Sequence, residues 1–473
     1  MSAEVPLISV SNTFAESLSM SSDATPNRSP NRRQFLAATA SAAAITAAPM
    51  FIPRTSLGYG RTAPSDRIAI GAIGCGGKGR HNTSAFLADD RVQVIAACDV
   101  DANHLNQGAD LIDAHYKNSD CARVEDLREL IARSDIDAVH VSTPDHWHSF
   151  ASVRAMQAGK DVYCEKPLAN SFGESKAIRD TAIRTGRILQ CGSHERSNNN
   201  CRFAAELVRS GRIGKVHTVR IQMPCEQDHH MSARAFRKKA EPQEIPEGLN
   251  WDMWQGHTHP VAYWEKGCHF WWRFILNYGG GEMTDRGAHI IDIAQLGLNR
   301  DSSGPVSFEA KGIQVAESPY DAFWDYEFTN TYADGTKLIG TTEGPRGLKF
   351  EGEDGWIFVA IHGGALSASD PEVLPQSVRD GKPVAFDQID DSLKVQLGRS
   401  AGHHKNFIDC IISRAEPMAT AEIGHRTATI CHLNNIAMKV GRPVRWDPGT
   451  EELIGDFEAG ELLLPNMRDP WQV

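Results

Sequence analysis

The sequence lacks the cysteine patterns that indicate a fold held together by zinc or by disulfides. Its ten cysteines are scattered singly, with no C-x-x-C pair, which argues against a zinc knuckle or a small disulfide scaffold. Cys98, Cys164 and Cys191 lie in apolar runs, which is typical of free thiols in a core. We therefore expect the cysteines to be mostly buried and unbridged.

Clustered positive charge is also missing. The formal net charge is −11, and no group of lysines and arginines stands out against it. Such a surface repels nucleic acid and anionic lipid, so a small-molecule partner is expected. Hydrophobic residues make up 41% of the 473 residues and charged residues 23%, as in an ordinary globular protein. This length favours two domains after an N-terminal extension.

Residues 1–60 are predicted to be a leader that is not part of the folded protein. Residues 1–30 are rich in Ser, Asn and Pro and lack hydrophobic periodicity, which indicates disorder. Arg32 and Arg33 then precede an alanine-rich apolar stretch ending at Ala48, an order that resembles a twin-arginine export signal. The stretch is shorter than the ~20 residues of a spanning helix, so we expect removal or loose retention, with an uncleaved anchor as the alternative. The resemblance implies a periplasmic protein that acquires and tightly holds its cofactor before export.

A glycine-rich loop follows the first apolar strand of the folded region. Arg67 to Ile73 is predicted to be this strand, and Arg80 to Ala88 the helix after the loop. Three glycines of the loop fit G-x-G-x-x-G, in which they allow a tight turn, close approach of the backbone to a pyrophosphate and close helix packing. The predicted phosphate-binding residues of this dinucleotide site are Gly74, Gly76, Gly77, Lys78 and Gly79.

The acidic residue that accompanies this pattern is also present. A second apolar strand, Val92 to Cys98, ends at Asp99, twenty residues after Gly79. A carboxylate there is placed for the ribose 2′-hydroxyl and repels a 2′-phosphate, so NAD is favoured over NADP as the cofactor. The alternative is that Asp99 is a turn residue without a ligand.

Three further apolar strands complete a predicted Rossmann domain over residues 66–192. These strands are Ala138 to Ser142, Asp161 to Cys164 and Arg187 to Cys191. Their alternation with helical stretches predicts a doubly wound parallel sheet. Ligands bind beyond the carboxyl ends of such strands, so the loops Thr143 to His148 and Glu165 to Pro167 are expected to face the cofactor.

These loops carry a family resemblance. Thr143-Pro144 through His148, then Ala158-Gly159-Lys160, then Glu165-Lys166-Pro167, resemble the Gfo/Idh/MocA oxidoreductases, and the match covers nearly everything after residue 66. The resemblance implies that Lys166 lies beside the nicotinamide and holds the reacting hydroxyl. It also implies a C-terminal α/β domain whose broad sheet mediates a homo-oligomer, a dimer or a tetramer. The cofactor-binding residues predicted in these loops are Thr143, Pro144, His148, Glu165 and Lys166.

Residues 193–473 are predicted to form the second domain, which binds substrate and mediates oligomers. Apolar and polar residues alternate over residues 218–223, as in a strand with one buried face. Asp334-Gly335 and Asp354-Gly355, each between apolar stretches, are hairpin signals. The fold expected is therefore α/β, with a Rossmann parallel sheet and a C-terminal α/β domain built on a large, open, mostly antiparallel sheet.

Asp285 and His289 lie four residues apart in a segment predicted to open a helix. On one helix face, the carboxylate orients the imidazole and favours its protonated form. Such a histidine exchanges a proton with a substrate hydroxyl near neutral pH. The alternative is that Asp285 caps the helix and His289 is a surface residue. The family resemblance implies the catalytic assignment, because the same Asp-x-x-x-His motif supplies its acid/base.

Aromatic and basic residues crowd the segment from Trp251 to Arg273. Aromatic faces suit the C–H faces of sugars, although clustered tryptophans are more often core or interface residues. His194 and Arg196 follow the last Rossmann strand, where members of the family often contact substrate; a glutamine is common near the first position, so the histidine is a departure. The predicted substrate-binding residues are His194, Arg196, Trp272 and Arg273.

Paired histidines raise a metal hypothesis. The pairs are His146 with His148, His229 with His230, His257 with His259, and His403 with His404. None has a known ligand spacing, and the sequence contains no H-E-x-x-H motif. We therefore expect no metal site.

The leading hypothesis from the sequence is an NAD-dependent oxidoreductase acting on a sugar, cyclitol or related polyol. Lys166, Asp285 and His289 are its predicted catalytic residues. The first alternative keeps the cofactor but uses transient oxidation of a sugar carbon for elimination or glycosidic cleavage, with no net redox change. The second is a sugar-binding protein that retains the fold without turnover.

Overall fold

The computed structural model describes residues 66–225 and 227–472. The predicted leader and export signal, residues 1–60, lie outside the described residues. The strands are β1 (Ile68–Ile73), β2 (Val92–Cys98), β3 (Ala122–Val124), β4 (Ala138–Val141), β5 (Asp161–Cys164), β6 (Leu189–Cys191), β7 (Val216–Gln222), β8 (Ser307–Ile313), β9 (Trp324–Thr331), β10 (Lys337–Thr341), β11 (Gly347–Gly352), β12 (Gly355–Ala360), β13 (Leu366–Ala368), β14 (Val444–Asp447) and β15 (Glu452–Leu453).

Helices alternate with the strands in the first half and cluster between and after them in the second. The α-helices are α1 (Gly77–Leu87), α2 (Ala102–Tyr116), α3 (Leu127–Ala132), α4 (His148–Gln157), α5 (Phe172–Thr185), α6 (Asn199–Arg209), α7 (Asp228–Ala235), α8 (Trp251–Gln255), α9 (Glu282–Asp285), α10 (Gly287–Leu298), α11 (Gln376–Arg379), α12 (His403–Ser413), α13 (Ala421–Val440) and α14 (Phe457–Gly460). Short 3-10 helices span Asp145–Trp147, His194–Ser197, Glu265–Gly267, Trp271–Phe274 and Pro371–Val373.

Strands β1 to β6 form a parallel sheet in the order β3-β2-β1-β4-β5-β6. This order confirms the predicted doubly wound sheet, whose switch point lies between β1 and β4. Apolar clusters cover both faces of the sheet, which explains why its central strands are mostly apolar. The predicted bounds of β2 and β5 are those observed, whereas β6 begins two residues later than predicted.

Helix α1 begins at Gly77, three residues before the predicted start. Gly76 precedes it with extended backbone and caps it without any side-chain hydrogen bond. The last part of the glycine loop is therefore the first turn of the helix. This placement leaves backbone N–H groups of the helix N-terminus facing the loop, where an anion is stabilised.

The second sheet has nine strands in the order β13-β12-β11-β7-β10-β9-β8-β14-β15. Only the β7–β10 pair is parallel, which confirms the predicted mostly antiparallel sheet. Both hairpin signals lie between paired strands, the first between β9 and β10 and the second between β11 and β12. Helices α6, α10 and α13 pack together, and α13 lies against β8. Their apolar residues share the largest core cluster with the inward side chains of the sheet.

Two late segments pack against the Rossmann sheet. Phe407 and Ile408 of α12 share an apolar cluster with Phe86 of α1 and the strands β1 and β2. Trp471 packs edge-on against Trp147 at the start of α4. The predicted boundary at residue 192 therefore separates the two sheets but not their cores.

All ten cysteines are free, nine of them buried and Cys225 partly buried. This confirms the expectation of unbridged core thiols. Among the helices of the described residues, none combines the length and the hydrophobicity that crossing a bilayer requires.

Candidate active site

A cavity of about 700 Å³ lies at the carboxyl ends of the central Rossmann strands. Its walls come from both halves of the chain, with the glycine loop at one end and the segment around Asp285 and His289 at the other. Most of the predicted site residues line it, including Asp99, Lys166 and His194. The fold thus brings residues that are far apart in sequence to one enclosed space of ligand size.

The glycine loop has the shape that a pyrophosphate requires. Gly74 has φ 87°, and a Cβ there would lie 2.7 Å from the backbone of Ser142. A Cβ on Gly79 would lie 1.9 Å from the carbonyl oxygen of Gly74. A Cβ on Gly76 would have no neighbour closer than 3.9 Å, and one on Gly77 none within 4 Å. The outer glycines are therefore required by the fold, and the inner ones leave open the space in which a dinucleotide phosphate fits.

We expect Gly76→Ala and Gly79→Ala to have different effects. Gly76→Ala should keep the fold, because the methyl meets only open space, yet it should weaken dinucleotide binding by at least roughly 10-fold, because backbone and phosphate then stand further apart. Gly79→Ala should lower the melting temperature, because its methyl collides with the loop backbone. Dinucleotide titration and thermal melting of both variants separate the two effects. Equal binding by wild type and Gly76→Ala would contradict the phosphate assignment.

Asp99 lies directly after β2 and organises the glycine loop. One carboxylate oxygen accepts a hydrogen bond from the N–H of Cys75 at 2.7 Å, and the other accepts from the N–H of Asp101 at 3.0 Å. Burial raises the pKa of Asp99 to about 6, although both of these hydrogen bonds act to lower it. Asp99 also lines the cavity. It is therefore more than a turn residue, while its contact with a ribose stays a prediction.

Glu165 and Lys78 form an ion pair on the cavity wall. Lys78 Nζ lies 3.3 Å from the Glu165 carboxylate, which also accepts a hydrogen bond from Asn82 Nδ2 at 2.9 Å. Burial raises the pKa of Glu165, but Lys78 and the Asn82 hydrogen bond outweigh it and lower the pKa to about 2. The pair holds α1 against the loop that follows β5.

His148 lines the cavity together with Thr143 and Pro144. Its Nδ1 lies 2.8 Å from the carbonyl oxygen of Pro167, and its Nε2 lies 3.1 Å from that of Thr143. Both ring nitrogens therefore face backbone carbonyls, and the ring ties the loop after β4 to the loop after β5. We interpret His148 as a residue that positions these loops, while its contact with a cofactor stays a prediction.

Lys166 joins the two halves of the site. Its ammonium forms an ion pair with one carboxylate oxygen of Asp285 and donates a hydrogen bond to the Asp285 backbone oxygen at 3.0 Å. Burial lowers the pKa of Lys166, but the Asp285 charge outweighs burial and raises it. Burial raises the pKa of Asp285, yet Lys166 and Arg273 hold it below its usual range. The pair is therefore ionised, with a protonated amine facing the cavity.

The predicted Asp285–His289 partnership is wrong. Helix α9 ends at Asp285 and α10 begins at Gly287, so the two residues are not stacked on one continuous helix. The Asp285 carboxylate instead contacts Lys166 and, at 3.5 Å, Nε of Arg273. His289 is 4% exposed, and its Nδ1 has no hydrogen-bond partner within the described part of the chain.

The predicted protonated state of His289 is also wrong. Burial, followed by the charge of Lys166, lowers the pKa of His289 well below its ordinary value. A neutral imidazole is the result, with a ring nitrogen free of any partner in the described residues. His289 is therefore in the form that accepts a proton.

Arg196 is a structural residue, which corrects its predicted contact with substrate. Its side chain is 3% exposed and pairs with Asp292 at 2.8 Å and with Asp301 at 2.7 Å. These ion pairs attach the segment after β6 to α10 and the turn that follows it. Local spacing could not show this, because both carboxylates lie about a hundred positions away.

The tryptophan-rich segment divides between core and cavity. Trp251 and Trp254 are buried in one apolar cluster, and Trp264 and Trp271 pack against another. Trp272 lines the cavity, and the guanidinium carbon of Arg273 lies 4.5 Å from the centroid of its ring. Arg273 thus stands between an aromatic face and Asp285, as a substrate-facing cation would.

Several residues of the cavity wall are not among the predicted site residues, and two of them, His362 and Asp145, act on the predicted catalytic residues. His362 lies in the turn after β12 with φ 67°, and it faces His194 and His289. Asp145 lines the cavity, and burial raises the pKa of its carboxyl well above the usual range, against the effect of Lys166. No periodicity marks either residue; the only signal was the position of Asp145 within the Thr-Pro loop.

The predicted histidine pairs do not form sites as pairs. His146 bonds to the Trp254 carbonyl oxygen and His403 to that of Cys191, each at 2.8 to 2.9 Å. The fold instead brings His194, His289 and His362 together, with one ring nitrogen of each within 4.8 Å of the others. These three come from separate segments, so their spacing in sequence carries no signal.

Comparison with known families covers most of the described chain. Residues 68–193 match the Gfo/Idh/MocA description of an oxidoreductase family with an NAD-binding Rossmann fold. Residues 197–368 and 386–473 match the C-terminal alpha/beta domain of that oxidoreductase family.

Curated relatives match over shorter stretches. A glycosyl hydrolase family 109 protein from Shewanella baltica is 30% identical over 227 residues, 42% of this chain and 48% of that protein. A 1-carboxy-3-chloro-3,4-dihydroxycyclohexa-1,5-diene dehydrogenase from Comamonas testosteroni is 32% identical over 153 residues, 32% of this chain and 37% of that protein. The chain thus spans less than half the length of these relatives.

Solved structures share the fold at low sequence identity. An oxidoreductase domain protein from Kribbella flavida has a TM-score of 0.58 at 19% identity, covering 82% of this chain and 100% of that one. An aldose-aldose oxidoreductase from Caulobacter crescentus has a TM-score of 0.56 at 18% identity, covering 80% of this chain and 99% of that one.

Proposed function

The chain belongs to the Gfo/Idh/MocA oxidoreductase family, and from this premise we propose that it transfers hydride between NAD and a carbinol of a sugar, cyclitol or related polyol. One observation carries the proposal. Lys166, protonated and held by Asp285, lies in the same cavity as the glycine loop and the neutral His289. This arrangement supplies a hydrogen-bond donor and a proton acceptor beside a dinucleotide site.

The side chains divide the work of alcohol oxidation. A bound nicotinamide supplies the hydride acceptor at C4. Lys166 donates a hydrogen bond to the reacting hydroxyl oxygen and stabilises the negative charge that develops there. His289 accepts the hydroxyl proton on a ring nitrogen, and Asp285 keeps Lys166 charged and in place. Arg273, His194 and Trp272 line the substrate end of the cavity.

The Asp285→Asn variant tests the supporting role of this carboxylate. Without its charge, burial should lower the pKa of Lys166, so the amine should lose its proton at a lower pH than in the wild type. We expect the alkaline limb of the pH–rate profile to move toward neutral pH, with a smaller change at low pH. An unchanged alkaline limb, measured with dinucleotide binding intact, would contradict the assignment.

NAD is proposed over NADP because of Asp99. Its buried carboxylate lines the cavity beside the glycine loop, where it would repel a 2′-phosphate. The Asp99→Asn variant keeps the size of the side chain and removes the charge, so the NADP-to-NAD affinity ratio should rise by roughly 10-fold. Parallel titrations with both dinucleotides measure the ratio. If the NADP-to-NAD affinity ratio of the variant equals that of the wild type, the Asp99 charge does not select against NADP and the role of Asp99 is structural.

Release of bound cofactor tests the proposed function itself. The folded, purified chain is denatured, and the released ligand is identified by absorbance and mass spectrometry. NAD or NADH should be released, and adding sugars or cyclitols to the intact protein should change the reduced-nicotinamide absorbance. A protein that releases no dinucleotide and binds none when it is added would refute the proposal.

A second candidate is redox-neutral cleavage through transient oxidation. Its specific support is the similarity to glycosyl hydrolase family 109 proteins, at 30% identity over 227 residues. In that cycle hydride returns to the product, so no NADH accumulates, and the C–H next to the oxidised carbon exchanges with solvent. Deuterium incorporation from D₂O at that carbon together with constant total NADH would favour this candidate, whereas NADH that accumulates with substrate consumed would favour the dehydrogenase.

Location and assembly extend the proposal. We propose export by the twin-arginine route to the periplasm, where free NAD is scarce and a tightly held cofactor is an advantage. We also propose a dimer or tetramer formed through the nine-stranded sheet. Fractionation of cells and light scattering of the purified protein test the two statements separately.

A further inference from the structure

The histidines of the substrate end form a compact cluster. The ring centroids of His194 and His289 are 4.6 Å apart, those of His289 and His362 are 5.0 Å apart, and those of His194 and His362 are 5.7 Å apart. One ring nitrogen of each lies within 4.8 Å of the others. Three imidazoles converging on one point are the ligand set of a catalytic zinc site.

A second observation points to a ligand at this place. His289 is buried, and its Nδ1 has no hydrogen-bond partner among the described residues. A buried polar atom without a partner loses its hydrogen bonds to water and gains none in return, so such atoms are rare unless a ligand satisfies them. A bound cation, or substrate, would provide the missing partner.

A carboxylate stands behind the cluster in the position of an outer-shell partner. Glu195 is 1% exposed, and one of its oxygens accepts a hydrogen bond from the backbone N–H of His362 at 3.0 Å. The same oxygen lies 3.5 Å from Nε2 of His194 and 4.0 Å from Nε2 of His362. Metal-binding histidines commonly have a carboxylate in this role, which orients the rings and increases their basicity.

The charges around the cluster allow a divalent cation. Lys166 and Lys78 lie near His289 and oppose a cation. The charge of Arg346 acts on His362 in the same sense. Asp285 and Glu165 pair with the two lysines, and Glu195 adds a buried negative charge beside His194 and His362. Burial lowers the pKa of both His289 and His362, so both rings are neutral, which is the form that binds metals.

We propose that His194, His289 and His362 bind a divalent transition cation of the zinc class, whose open fourth position expands to five-coordination when two adjacent oxygens of the substrate bind. The cation site is inferred from the positions of the three histidines. Only the identification of its substrate ligand rests on the proposed function. Three imidazole ligands and open positions match catalytic rather than structural zinc. A pair of neighbouring sugar oxygens, two hydroxyls or a hydroxyl and a carbonyl, is the chelating group that fits those positions.

A small movement of the three rings toward one another would bring their nitrogens to zinc-binding distances. Zinc–nitrogen bonds of about 2.0 to 2.1 Å in tetrahedral geometry require ligand nitrogens about 3.3 Å apart. His194 and His362 have 39% and 35% of their side chains exposed, so both rings have room to rotate toward the buried His289. His362 has φ 67°, in the left-handed region that histidine adopts more readily than most other non-glycine residues.

A second cluster in the chain offers a matched control. Asp101, His104 and His269 also converge, beside Asp99. There the Asp101 carboxylate already pairs with His269 Nε2 at 2.7 Å and caps α2 through the N–H groups of Asn103 and His104. Because its carboxylate is satisfied within the protein, we assign the cation to the first cluster.

The test uses the full chain carrying its bound dinucleotide. After treatment with a chelator, the protein is titrated with Co²⁺, read by its visible absorption, and with Zn²⁺ in equilibrium dialysis. We expect one equivalent of each, loss of the Co²⁺ absorption in His362→Ala and His194→Ala, and unchanged binding in His104→Ala. Glu195→Gln should weaken binding about 10- to 100-fold. Adding a polyol with adjacent hydroxyls should shift the Co²⁺ spectrum of the wild type.

Several outcomes overturn the inference. Absence of binding in the wild type, full binding in His362→Ala, or loss of binding in His104→Ala would each do so. Thermal melting and dinucleotide release of every variant show that the fold and the cofactor site are intact. Released dinucleotide without cation binding refutes only the cation site, whereas cation binding without any dinucleotide refutes the proposed function and leaves the site.

Discussion

The Lys166→Met variant should lose turnover by at least roughly 100- to 1000-fold while retaining dinucleotide binding. Methionine keeps most of the length of the side chain and removes the ammonium, which is the hydrogen-bond donor to the reacting oxygen. The loss should fall on kcat, because the charge that Lys166 stabilises develops only as the hydroxyl proton leaves.

Removal of the ammonium also leaves the Asp285 carboxylate with Arg273 and Arg286 as the cations that act on it. Burial then raises the pKa of Asp285 with less opposition, so the variant should take up a proton on this carboxyl at a higher pH than the wild type. Protonation of Asp285 limits the cost in stability, because a neutral carboxyl is tolerated in a buried site.

Lys176→Met is the matched control for this prediction. Lys176 lies on α5 and pairs with Asp180 on the surface, outside the cavity. Its removal should leave turnover and cofactor affinity unchanged, since exposed ion pairs of this kind contribute little. Turnover within 10-fold of the wild type in Lys166→Met, with the control unaffected, would show that the ammonium is not part of the chemistry.

The fold could be predicted from the sequence because its signals are local. Strands β2 and β5 are mostly apolar, with Gln93 and Asp161 as the exceptions, and a largely apolar run is the pattern of a strand buried on both faces. Gly74 and Gly79 are required by the backbone packed against them, and Gly76 and Gly77 leave space for a phosphate, so the motif itself carries the signal. The hairpins of the second sheet were equally visible, since a turn is specified by the residues within it.

The ion pairs and hydrogen bonds of the site could not be predicted, because they join segments that are distant in sequence. The sequence predicts that Asp285 pairs with the histidine four positions away. The helix is interrupted at Arg286, however, and the carboxylate forms an ion pair with Lys166, 119 positions away. Arg196 was assigned to substrate, although two distant aspartates bury it. His362 had no motif at all. Spacing in sequence constrains partners only while the backbone between them is regular.

The His289→Asn variant should lower turnover roughly 100- to 10,000-fold, because asparagine keeps a polar group of similar reach but cannot accept the hydroxyl proton. The pH dependence is the sharper readout. The pKa of His289 lies well below its ordinary value, so the imidazole is unprotonated at neutral pH and loses its basic form only on strong acidification. The wild-type rate should therefore stay constant from pH 7.5 to below about 6.5, the ordinary pKa of histidine, and should fall only on stronger acidification.

The variant should lose this acid limb, and its residual rate should rise with pH as hydroxide replaces the missing base. His217→Asn is the control, since His217 is exposed on β7 and its ring contacts the hydroxyl of its neighbour Thr218, outside the cavity. An acid limb retained unchanged in His289→Asn would show that another group titrates, and near-normal turnover would remove His289 from the mechanism.

A cation bound to the histidine cluster changes which group determines the acid limb of the pH–rate profile. The lone pair of the neutral His289 ring can bind either the substrate proton or the cation. Base catalysis by His289 therefore applies to the protein without the cation. With the cation bound, the limb should follow the coordinated hydroxyl, whose acidity the cation increases, and should depend on which metal is supplied. His362→Ala separates the two cases, because it removes a ligand and leaves His289 free. If the acid limb of the wild type lies at a different pH with Zn²⁺ than with Co²⁺, and that of His362→Ala does not, the proton is lost at the cation site. If the limb is independent of the metal in both proteins, the proton is lost to His289.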